Sequence, residues 1–366
     1  MTASERLKGV PGRYWHRLDD GRIQCDVCPR YCKLNESQRG LCFVRGRQDE
    51  RIVLTTYGRS SGFCVDPIEK KPLNHYLPGT PVLSFGTVGC NLTCKFCQNW
   101  DISKAREFDK LQELALPEDV VRAAVASGAR SIAYTYNDPV VFLEYAVDVA
   151  RVARQRAIKN VAVTAGYIAA AARKELYTWM DAANIDLKGF TEAFYKRLCT
   201  GHLGAVLETL EYLKHETKVW FEITTLLIPG HNDSPQEVKK LSEWVMRRLG
   251  PDVPLHFTAF HPDYKMLDLP PTPARTLTKA RDIARKVGLQ FVYTGNVRDE
   301  SGQSTHCPGC GERLIGRNWY EITAWRLRDG SCSRCGTLIP GLFEASPGGW
   351  GQRRMPVRIG DGYTAT

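Results

Sequence analysis

The sequence predicts an α/β fold: a partial, open TIM-like β/α barrel with a small cysteine-rich module before it and another after it. Strand-like runs alternate with amphipathic helical segments between residues 81 and 300, and repeated units of this kind form parallel strands with right-handed crossovers. About seven strands are predicted, too few for a complete eightfold barrel. Thirteen cysteines fall mainly into three short groups, one in each predicted region.

The predicted strands are rich in Val, Ile and aromatic residues, and the segments between them carry apolar residues at helical spacing. Pro117 and Pro235 stand in predicted first helical turns, where the missing N–H costs least. Gly128 and Gly288 mark predicted helix ends. The strands cover residues 81–87, 131–136, 160–165, 184–187, 218–228, 255–260 and 289–294.

These patterns divide the chain into four regions. Residues 1–80 are the N-terminal cysteine-rich module with its lead-in, residues 81–300 the barrel, residues 301–345 a zinc-ribbon-like module, and residues 346–366 a flexible, Gly-rich tail. The lead-in at 66–79 contains three prolines, which exclude a long helix. We expect it to be irregular and packed on the barrel edge.

Composition places the chain among ordinary globular proteins, with 43% hydrophobic and 25% charged residues. No apolar run approaches the length of a bilayer, and the N-terminus lacks the apolar segment of a signal peptide, so we expect a cytoplasmic protein. In that reducing compartment, clustered cysteines favour metal ligation over disulfides. Lys and Arg exceed Asp and Glu by ten (50 − 40). A positive net charge favours binding to nucleic acid and to an anionic protein alike, so it does not indicate which of the two is the partner.

The most informative stretch is residues 89–100, directly after the first predicted strand. It holds Cys90, Cys94 and Cys97 at spacing C-x3-C-x2-C. Three thiolates on one tight loop can hold three irons of a cubane cluster, and no nearby fourth cysteine is offered to the last iron, which is left open to a substrate or cofactor. A disulfide would leave one of the three thiols unpaired, and a closed zinc site needs four ligands, one more than the loop provides. The spacing favours an iron–sulfur cluster.

This loop resembles that of the radical S-adenosylmethionine (SAM) enzymes, whose fold is a partial barrel of the predicted kind. The whole chain resembles the AmmeMemoRadiSam-system radical SAM proteins, relatives of the pyruvate-formate-lyase-activating enzymes. It departs from the activases in that its extra cysteines precede the loop, and in having Val163 where they carry an aspartate. The resemblance is carried by Gly-Cys-Asn-Leu at 89–92, Phe-Cys-Gln-Asn at 96–99, Tyr-Thr-Tyr-Asn at 134–137, Asp-Leu-Lys at 186–188, Leu-Ile-Pro-Gly at 227–230 and Tyr-Thr-Gly-Asn at 293–296.

The resemblance implies a [4Fe–4S] cluster on Cys90, Cys94 and Cys97 that binds SAM at its open iron. Reductive cleavage of SAM would give methionine and a 5′-deoxyadenosyl radical, which abstracts hydrogen from an unknown substrate. Phe96 sits where the superfamily places an aromatic ring against the adenine. The implied partners are a reductant such as flavodoxin or ferredoxin, and Memo-like and AMMECR-domain proteins.

Polar residues at the ends of predicted strands extend this site, because the chemistry of parallel barrels collects at the carboxyl ends of the strands. Helix capping by Asn137 or Asp138, and a structural Asp186–Lys188 ion pair, are alternatives that the residues leave open. No motif identifies the side chains that act on the substrate. The residues expected near SAM are Asn137, Asp138, Thr164, Asp186, Lys188 and Asn296.

Two further cysteine groups predict metal sites. The C-terminal group makes two C-x2-C-G knuckles, which favour structural zinc: Cys307, Cys310, Cys332 and Cys335. The N-terminal group has the spacing C-x2-C-x3-C-x9-C, which suits either zinc or an auxiliary iron–sulfur cluster: Cys25, Cys28, Cys32 and Cys42.

Three functions are therefore compared. The first is a radical SAM enzyme acting on a small molecule or peptide. The second, implied by the relation to activases, is installation of a glycyl radical in another enzyme. The third is a zinc-stabilised protein that binds or modifies nucleic acid, for which steep salt dependence of binding would be the test.

Overall fold

The computed structural model describes residues 9–105 and 113–359. Its N-terminal part consists of small antiparallel sheets, one of order β1-β6-β5 and another of order β2-β3-β4, while β7 pairs with β10. The strands are β1 (Val10–Pro11), β2 (Trp15–Arg17), β3 (Ile23–Cys25), β4 (Lys33–Leu34), β5 (Arg45–Gln48), β6 (Arg51–Leu54), β7 (Arg59–Ser60) and β10 (Glu113–Leu114).

The centre of the molecule is a nine-stranded sheet of order β16-β15-β14-β13-β12-β11-β9-β8-β22. The seven strands from β9 to β16 are parallel, as predicted. The sheet does not close, because β16 and β22 are its two ends. Its strands are β8 (Phe63–Pro67), β9 (Pro81–Phe85), β11 (Ser131–Tyr134), β12 (Lys159–Thr164), β13 (Ala182–Asp186), β14 (Trp220–Leu227), β15 (Leu255–Ala259), β16 (Val292–Gly295) and β22 (Met355–Val357).

Helices connect the parallel strands and bury their apolar faces against the sheet. Ser234 accepts a hydrogen bond from Glu237 N–H at the start of the helix that Pro235 opens, and Gly288 ends a later helix at a φ of +117°. Both boundaries agree with the predicted signals. The helices are α1 (Trp100–Ser103), α2 (Pro117–Ala126), α3 (Leu143–Gln155), α4 (Ala170–Trp179), α5 (Glu192–Phe194), α6 (Leu203–Glu216), α7 (Pro235–Arg248), α8 (Ala274–Val287) and α9 (Glu300–Gln303), with 3-10 turns at Ile68–Lys70 and Pro139–Phe142 and a π turn at Tyr195–Cys199.

The main core lies between the sheet and its helices. Phe85, at the end of β9, is fully buried and lies with its ring centroid 5.5 Å from those of Tyr134 and Tyr145. Interlocked aromatic rings of this kind contribute beyond their buried area. They fix the end of β9, from which the cysteine loop begins.

The lead-in, residues 66–79, has no long helix, as its prolines predict. It contacts the strands of the barrel through hydrogen bonds. The backbone N–H groups of Asn74 and His75 donate to the Glu222 carboxylate of β14 at 2.9 and 2.7 Å. The side chain of Asn184 on β13 donates to Pro72 O at 2.8 Å. The lead-in is therefore attached to the middle of the sheet, at β13 and β14.

The C-terminal module is a short ribbon, with sheets β17-β18-β19 and β20-β21. The predicted hairpin between the two cysteine knuckles is formed by β18 and β19, and Trp319 and Tyr320 lie at its turn. Its strands are β17 (Thr305–His306), β18 (Arg313–Asn318), β19 (Glu321–Trp325), β20 (Leu327–Arg328) and β21 (Ser331–Cys332).

The tail differs from its prediction. Met355–Val357 forms β22, which pairs with β8 at the end of the central sheet. Gly348 N–H and Trp350 N–H also donate to Pro78 O and Gly79 O at 2.9 and 3.0 Å. The prediction of a flexible tail is wrong for this stretch, because backbone hydrogen bonds to a distant part of the chain hold it. Residues 360–366 of the predicted tail lie outside the described residues.

Among the described helices, none combines the length and the apolar character needed to cross a bilayer.

Candidate active site

A cavity of about 340 Å³ lies at the carboxyl ends of the parallel strands and extends towards the ribbon. It collects residues from the cysteine loop, the ends of β11, β12 and β13, and β16. The structure brings together around it all of the residues predicted for the cluster and for SAM: Cys90, Cys94, Phe96, Cys97, Asn137, Asp138, Thr164, Asp186, Lys188 and Asn296.

The cysteine loop begins at a residue that must be glycine. Gly89 has a φ of +79°, and a Cβ atom there would lie 2.0 Å from the carbonyl oxygen of Cys42. Since any side chain would clash with that backbone, the loop can pack against the N-terminal module only with glycine at this position. The loop and the module are thus in direct contact.

Asn137 fixes the path of the chain into the loop. Its Oδ1 accepts from Thr87 N–H at 2.9 Å, and its Nδ2 donates to Val88 O at 3.1 Å and to Gly89 O at 2.9 Å. Although Asn137 lines the cavity, these hydrogen bonds use its amide to hold the backbone immediately before Cys90. It is a positioning residue for the loop.

The thiols of the loop lie near hydrogen-bond donors. Leu92 N–H is 3.5 Å from Cys90 Sγ, and Ser103 Oγ is 3.1 Å from Cys97 Sγ. Burial raises the pKa of Cys90 to about 12. Metal ions bind the thiolate, so a metal would have to displace a proton there, and the nearby donors would stabilise the ligated sulfur.

Cys199 is a fourth cysteine at the loop, which sequence spacing did not indicate. The backbone of Cys199 accepts from Thr93 N–H at 3.0 Å. The Cys199 thiol lowers the pKa of Cys94, although burial opposes this. The expectation that no fourth cysteine is near the loop is therefore wrong for the folded chain, since the π turn brings Cys199 in. Cys199 is not among the residues that line the cavity.

Asp138 and Thr164 join the ends of β11 and β12. Asp138 Oδ1 accepts from Thr164 Oγ1 at 2.8 Å and from Val140 N–H at 3.1 Å, and its Oδ2 accepts from Ala165 N–H at 2.9 Å. The capping role that the sequence left open is present, because Asp138 caps the turn at Pro139–Phe142. Burial raises the pKa of Asp138.

Asp186 is the last residue of β13, and it forms an ion pair inside the cavity with Lys188, whose Nζ is 2.8 Å from Asp186 Oδ2. Burial lowers the pKa of Lys188, but the charge and hydrogen bond of Asp186 together with the neighbouring thiols of Cys94 and Cys199 outweigh it, and the net shift is upward. Lys188 therefore stays cationic. A cation at this place can face a ligand carboxylate, in addition to the structural role that the sequence left open.

Phe96 and Asn296 lie on opposite sides of the site. The Phe96 ring is buried and lies 5.9 Å from the ring of Phe194, centroid to centroid. Asn296 has a φ of +58° and donates from Nδ2 to Ala259 O at 3.2 Å. The left-handed backbone, which asparagine tolerates better than most residues, turns the chain at the end of β16.

Most residues of the far wall of the cavity were not indicated by the sequence. Glu69 comes from the lead-in, His256 from β15, and Arg317, Trp319 and Tyr320 from the ribbon. His256 Nε2 lies 2.6 Å from Glu222 Oε2. No sequence signal connects the ribbon with the barrel, because the contact depends on how two distant parts of the chain dock.

The C-terminal cysteines form a compact set. The sulfur atoms of Cys307, Cys310, Cys332 and Cys335 all lie within 4.8 Å of one another, with Cys307 and Cys335 sulfurs 3.5 Å apart. A tetrahedral zinc ion with Zn–S bonds of about 2.3 Å separates its sulfurs by about 3.8 Å. This set therefore has the geometry of a four-thiolate site for one metal ion.

Comparison with known proteins identifies the class. Residues 85–244 match the Radical SAM superfamily. The uncharacterized protein MJ0808 of Methanocaldococcus jannaschii is 39% identical over 328 residues, which cover 89% of this chain and 97% of that protein. Residues 85–244 therefore form a radical SAM domain, and the chain belongs to one family with the archaeal protein. It is an enzyme, because the reactions of this superfamily are catalytic.

Solved structures show more distant similarity. A domain of a pyruvate-formate lyase-activating enzyme from Bacteroides vulgatus is 16% identical, with 45% of this chain and 99% of that chain covered and a TM-score of 0.41. A radical SAM methyltransferase from Sphaerobacter thermophilus is 13% identical, with 80% and 81% covered and a TM-score of 0.48. Similarity at this level carries no conclusion about the substrate.

Proposed function

We propose that the enzyme cleaves SAM reductively at a [4Fe–4S] cluster held by Cys90, Cys94 and Cys97, and that it abstracts hydrogen from a substrate bound in the same cavity. The observation that carries the proposal is that these three are the cysteines among the described residues that line the 340 Å³ cavity. Three thiolates would leave one iron of a cubane without a protein ligand, and the cavity that they line offers space for a ligand at that iron.

The residues present fit this cofactor pair. The thiols have nearby donors, Asn137 holds the loop, and the Lys188 ammonium is available to the carboxylate of SAM. We assign Phe96 to the adenine, and Thr164, Asp138 and Asn296 to the wall around the nucleoside. When bound, the cluster and SAM supply a 5′-deoxyadenosyl radical. The lead-in and the ribbon cover the far wall of the cavity and so shield that side of it from solvent.

We further infer that the protein belongs to the AmmeMemoRadiSam system, on the motifs between residues 89 and 296. Its partners would then be Memo-like and AMMECR-domain proteins, together with a flavodoxin or ferredoxin that supplies one electron per SAM.

We assign zinc to the C-terminal set, because sulfurs 3.5 and 3.7 Å apart match zinc–thiolate geometry.

The test is formation of 5′-deoxyadenosine. Protein reconstituted anaerobically with iron and sulfide, then mixed with dithionite and SAM, is expected to release 5′-deoxyadenosine and methionine, whereas Cys94→Ala releases neither. Cys64→Ala is the matched control, because Cys64 is also buried but lies on β8 outside the cavity. Equal yields from Cys94→Ala and the parent would refute the assignment of the cluster.

A further inference from the structure

The N-terminal cysteines line a second, separate cavity of about 20 Å³. The module provides most of its wall, and Val140 and Val141 from the turn at Pro139–Phe142 close it. None of its lining residues lines the larger cavity. The four thiols that share it are Cys25, Cys28, Cys32 and Cys42.

The spacing of these thiols differs from that of the C-terminal set. Within the described residues, no three of the N-terminal sulfurs lie within 4.8 Å of one another, although the four C-terminal sulfurs do.

Within the described residues, the sulfurs of Cys90, Cys94 and Cys97 likewise do not form a set as compact as that of the ribbon. A cluster gives each thiolate its own iron and so keeps the sulfurs apart, whereas a single ion draws all of its ligands together. The N-terminal set and the cluster loop therefore both lack the close spacing of the zinc-like ribbon.

Arg45 gives an independent indication of an anionic group in this cavity. Its side chain is 2% exposed, its Nε donates to Val141 O at 3.1 Å, and its Nη2 pairs with Glu144. Its Nη1 is buried without a hydrogen-bond partner, and Arg45 lines the cavity. A buried guanidinium N–H without an acceptor is costly, and a buried cation beside the cavity favours an anionic group within it.

We propose that Cys25, Cys28, Cys32 and Cys42 hold a second [4Fe–4S] cluster beside the guanidinium of Arg45. All four irons then have cysteine ligands, so this cluster has no open site for SAM or substrate. A closed cluster apart from the substrate cavity suits transfer of single electrons.

The structure also shows where the electron would pass. Asn91 lines the N-terminal cavity and directly follows Cys90, and Arg30 Nε donates to Asn91 O at 2.8 Å. On the outer side, Cys28 and Cys32 are partly exposed beside Tyr31, which is 46% exposed. One electron from a flavodoxin or ferredoxin would enter here, reduce the N-terminal cluster and pass on to the cluster at Cys90. This relay role rests on the proposed function, but the identity of the metal does not.

The metal test uses a variant without the SAM loop ligands, Cys90→Ala/Cys94→Ala/Cys97→Ala, reconstituted anaerobically with iron and sulfide. It is expected to keep about four iron and four sulfide per chain with one zinc, and the parent about twice that iron. The reciprocal variant Cys28→Ala/Cys42→Ala is expected to lose half of the parent's iron. Retained zinc shows that the chain has folded.

Loss of all iron from the triple variant, with a second zinc in its place, would overturn the proposal. So would full iron in the reciprocal variant. Retention of iron by the triple variant supports the second cluster even if the parent cleaves no SAM, so the two proposals fail separately.

The relay is tested by comparing two reductants in the reciprocal variant. Dithionite is small and can reach the loop cluster through the open cavity, whereas flavodoxin must dock on the surface. The ratio of the flavodoxin-driven to the dithionite-driven rate of 5′-deoxyadenosine formation is expected to fall at least tenfold from that of the parent. An unchanged ratio would overturn the relay.

Discussion

The side-chain amide of Asn137 donates to the carbonyl oxygen of Gly89 at 2.9 Å, and so joins the end of β11 to the residue before the first loop cysteine. The same side chain also holds Thr87 and Val88. The loop therefore depends on a neighbouring strand for its shape, because its own backbone follows a path that only Gly89 permits.

Replacement of Asn137 by alanine is expected to disturb the cluster loop. Asn137→Ala leaves the buried Thr87 N–H and two carbonyl oxygens without their partner, which costs about 2–4 kcal/mol of unfolding free energy. The variant should retain less iron than the parent after gel filtration. Asn318→Ala, at an exposed position, is the control, and equal iron in both variants would contradict the positioning role.

Lys188 is expected to contribute to SAM binding through its charge. Lys188→Met should raise the Kd for SAM at least tenfold and leave Asp186 as an uncompensated anion in the cavity. Equilibrium dialysis with labelled SAM measures this. Lys159→Met is the matched control, because Lys159 also pairs with an aspartate, Asp181 at 3.1 Å, but outside the cavity. Equal Kd values for parent and Lys188→Met would reject the assignment.

The C-terminal metal is expected to maintain the far wall of the cavity. Cys310→Ala removes one of four ligands, and a ribbon with so small a core then loses the binding energy that folds it. Amide hydrogen exchange across residues 313–325 should accelerate strongly, with loss of one zinc per chain. Normal protection there with the zinc gone would show that the ribbon folds without metal.

Glu69 is expected to make stability fall as the pH rises. Burial raises the pKa of Glu69 from 4.5 to about 7, although Arg317 opposes it. The folded protein thus keeps a proton that the unfolded chain releases between pH 4.5 and 7. Protonated Glu69 therefore makes its full contribution to the unfolding free energy below pH 4.5. That contribution declines as the pH rises to about 7.

Glu69→Gln keeps the hydrogen-bond acceptor for Gly79 N–H but has no proton to release. The unfolding free energy of the parent minus that of the variant should fall by up to about 3 kcal/mol between pH 4.5 and 7. Denaturant unfolding over this range measures the difference, and groups shared by both proteins cancel. Glu216→Gln, at an exposed position, should give no trend. If the unfolding free energies of the parent and of Glu69→Gln changed with pH in parallel, the prediction that Glu69 keeps a proton in the folded protein would be contradicted.

Local patterns were enough to predict the barrel. The seven parallel strands follow from β-rich runs alternating with helical stripes, and each predicted strand overlaps an observed one. The strand ends then placed Asp138, Lys188 and Asn296 around one cavity. The predictions succeeded here because neighbouring β–α units pack by short-range rules.

Contacts between distant segments were not predictable. Residues 355–357 carry no strong strand signal, yet they extend the sheet by pairing with β8. Cys199 stands alone in the sequence, and only the π turn carries it to Cys94. Arg317 reaches the cavity because the ribbon docks on the lead-in, where its side chain donates to Asn74 O at 2.7 Å. Each of these contacts depends on tertiary packing that no local pattern specifies.

The central claim is that a cluster with one open iron binds SAM at Cys90, Cys94 and Cys97. The most direct measurement is the EPR spectrum of the reduced, reconstituted Cys28→Ala/Cys42→Ala variant, in which only this cluster remains, recorded with and without SAM. We predict a [4Fe–4S]⁺ signal whose g values shift when SAM is added. A colourless protein without that signal, or a signal that SAM leaves unchanged, would contradict the account.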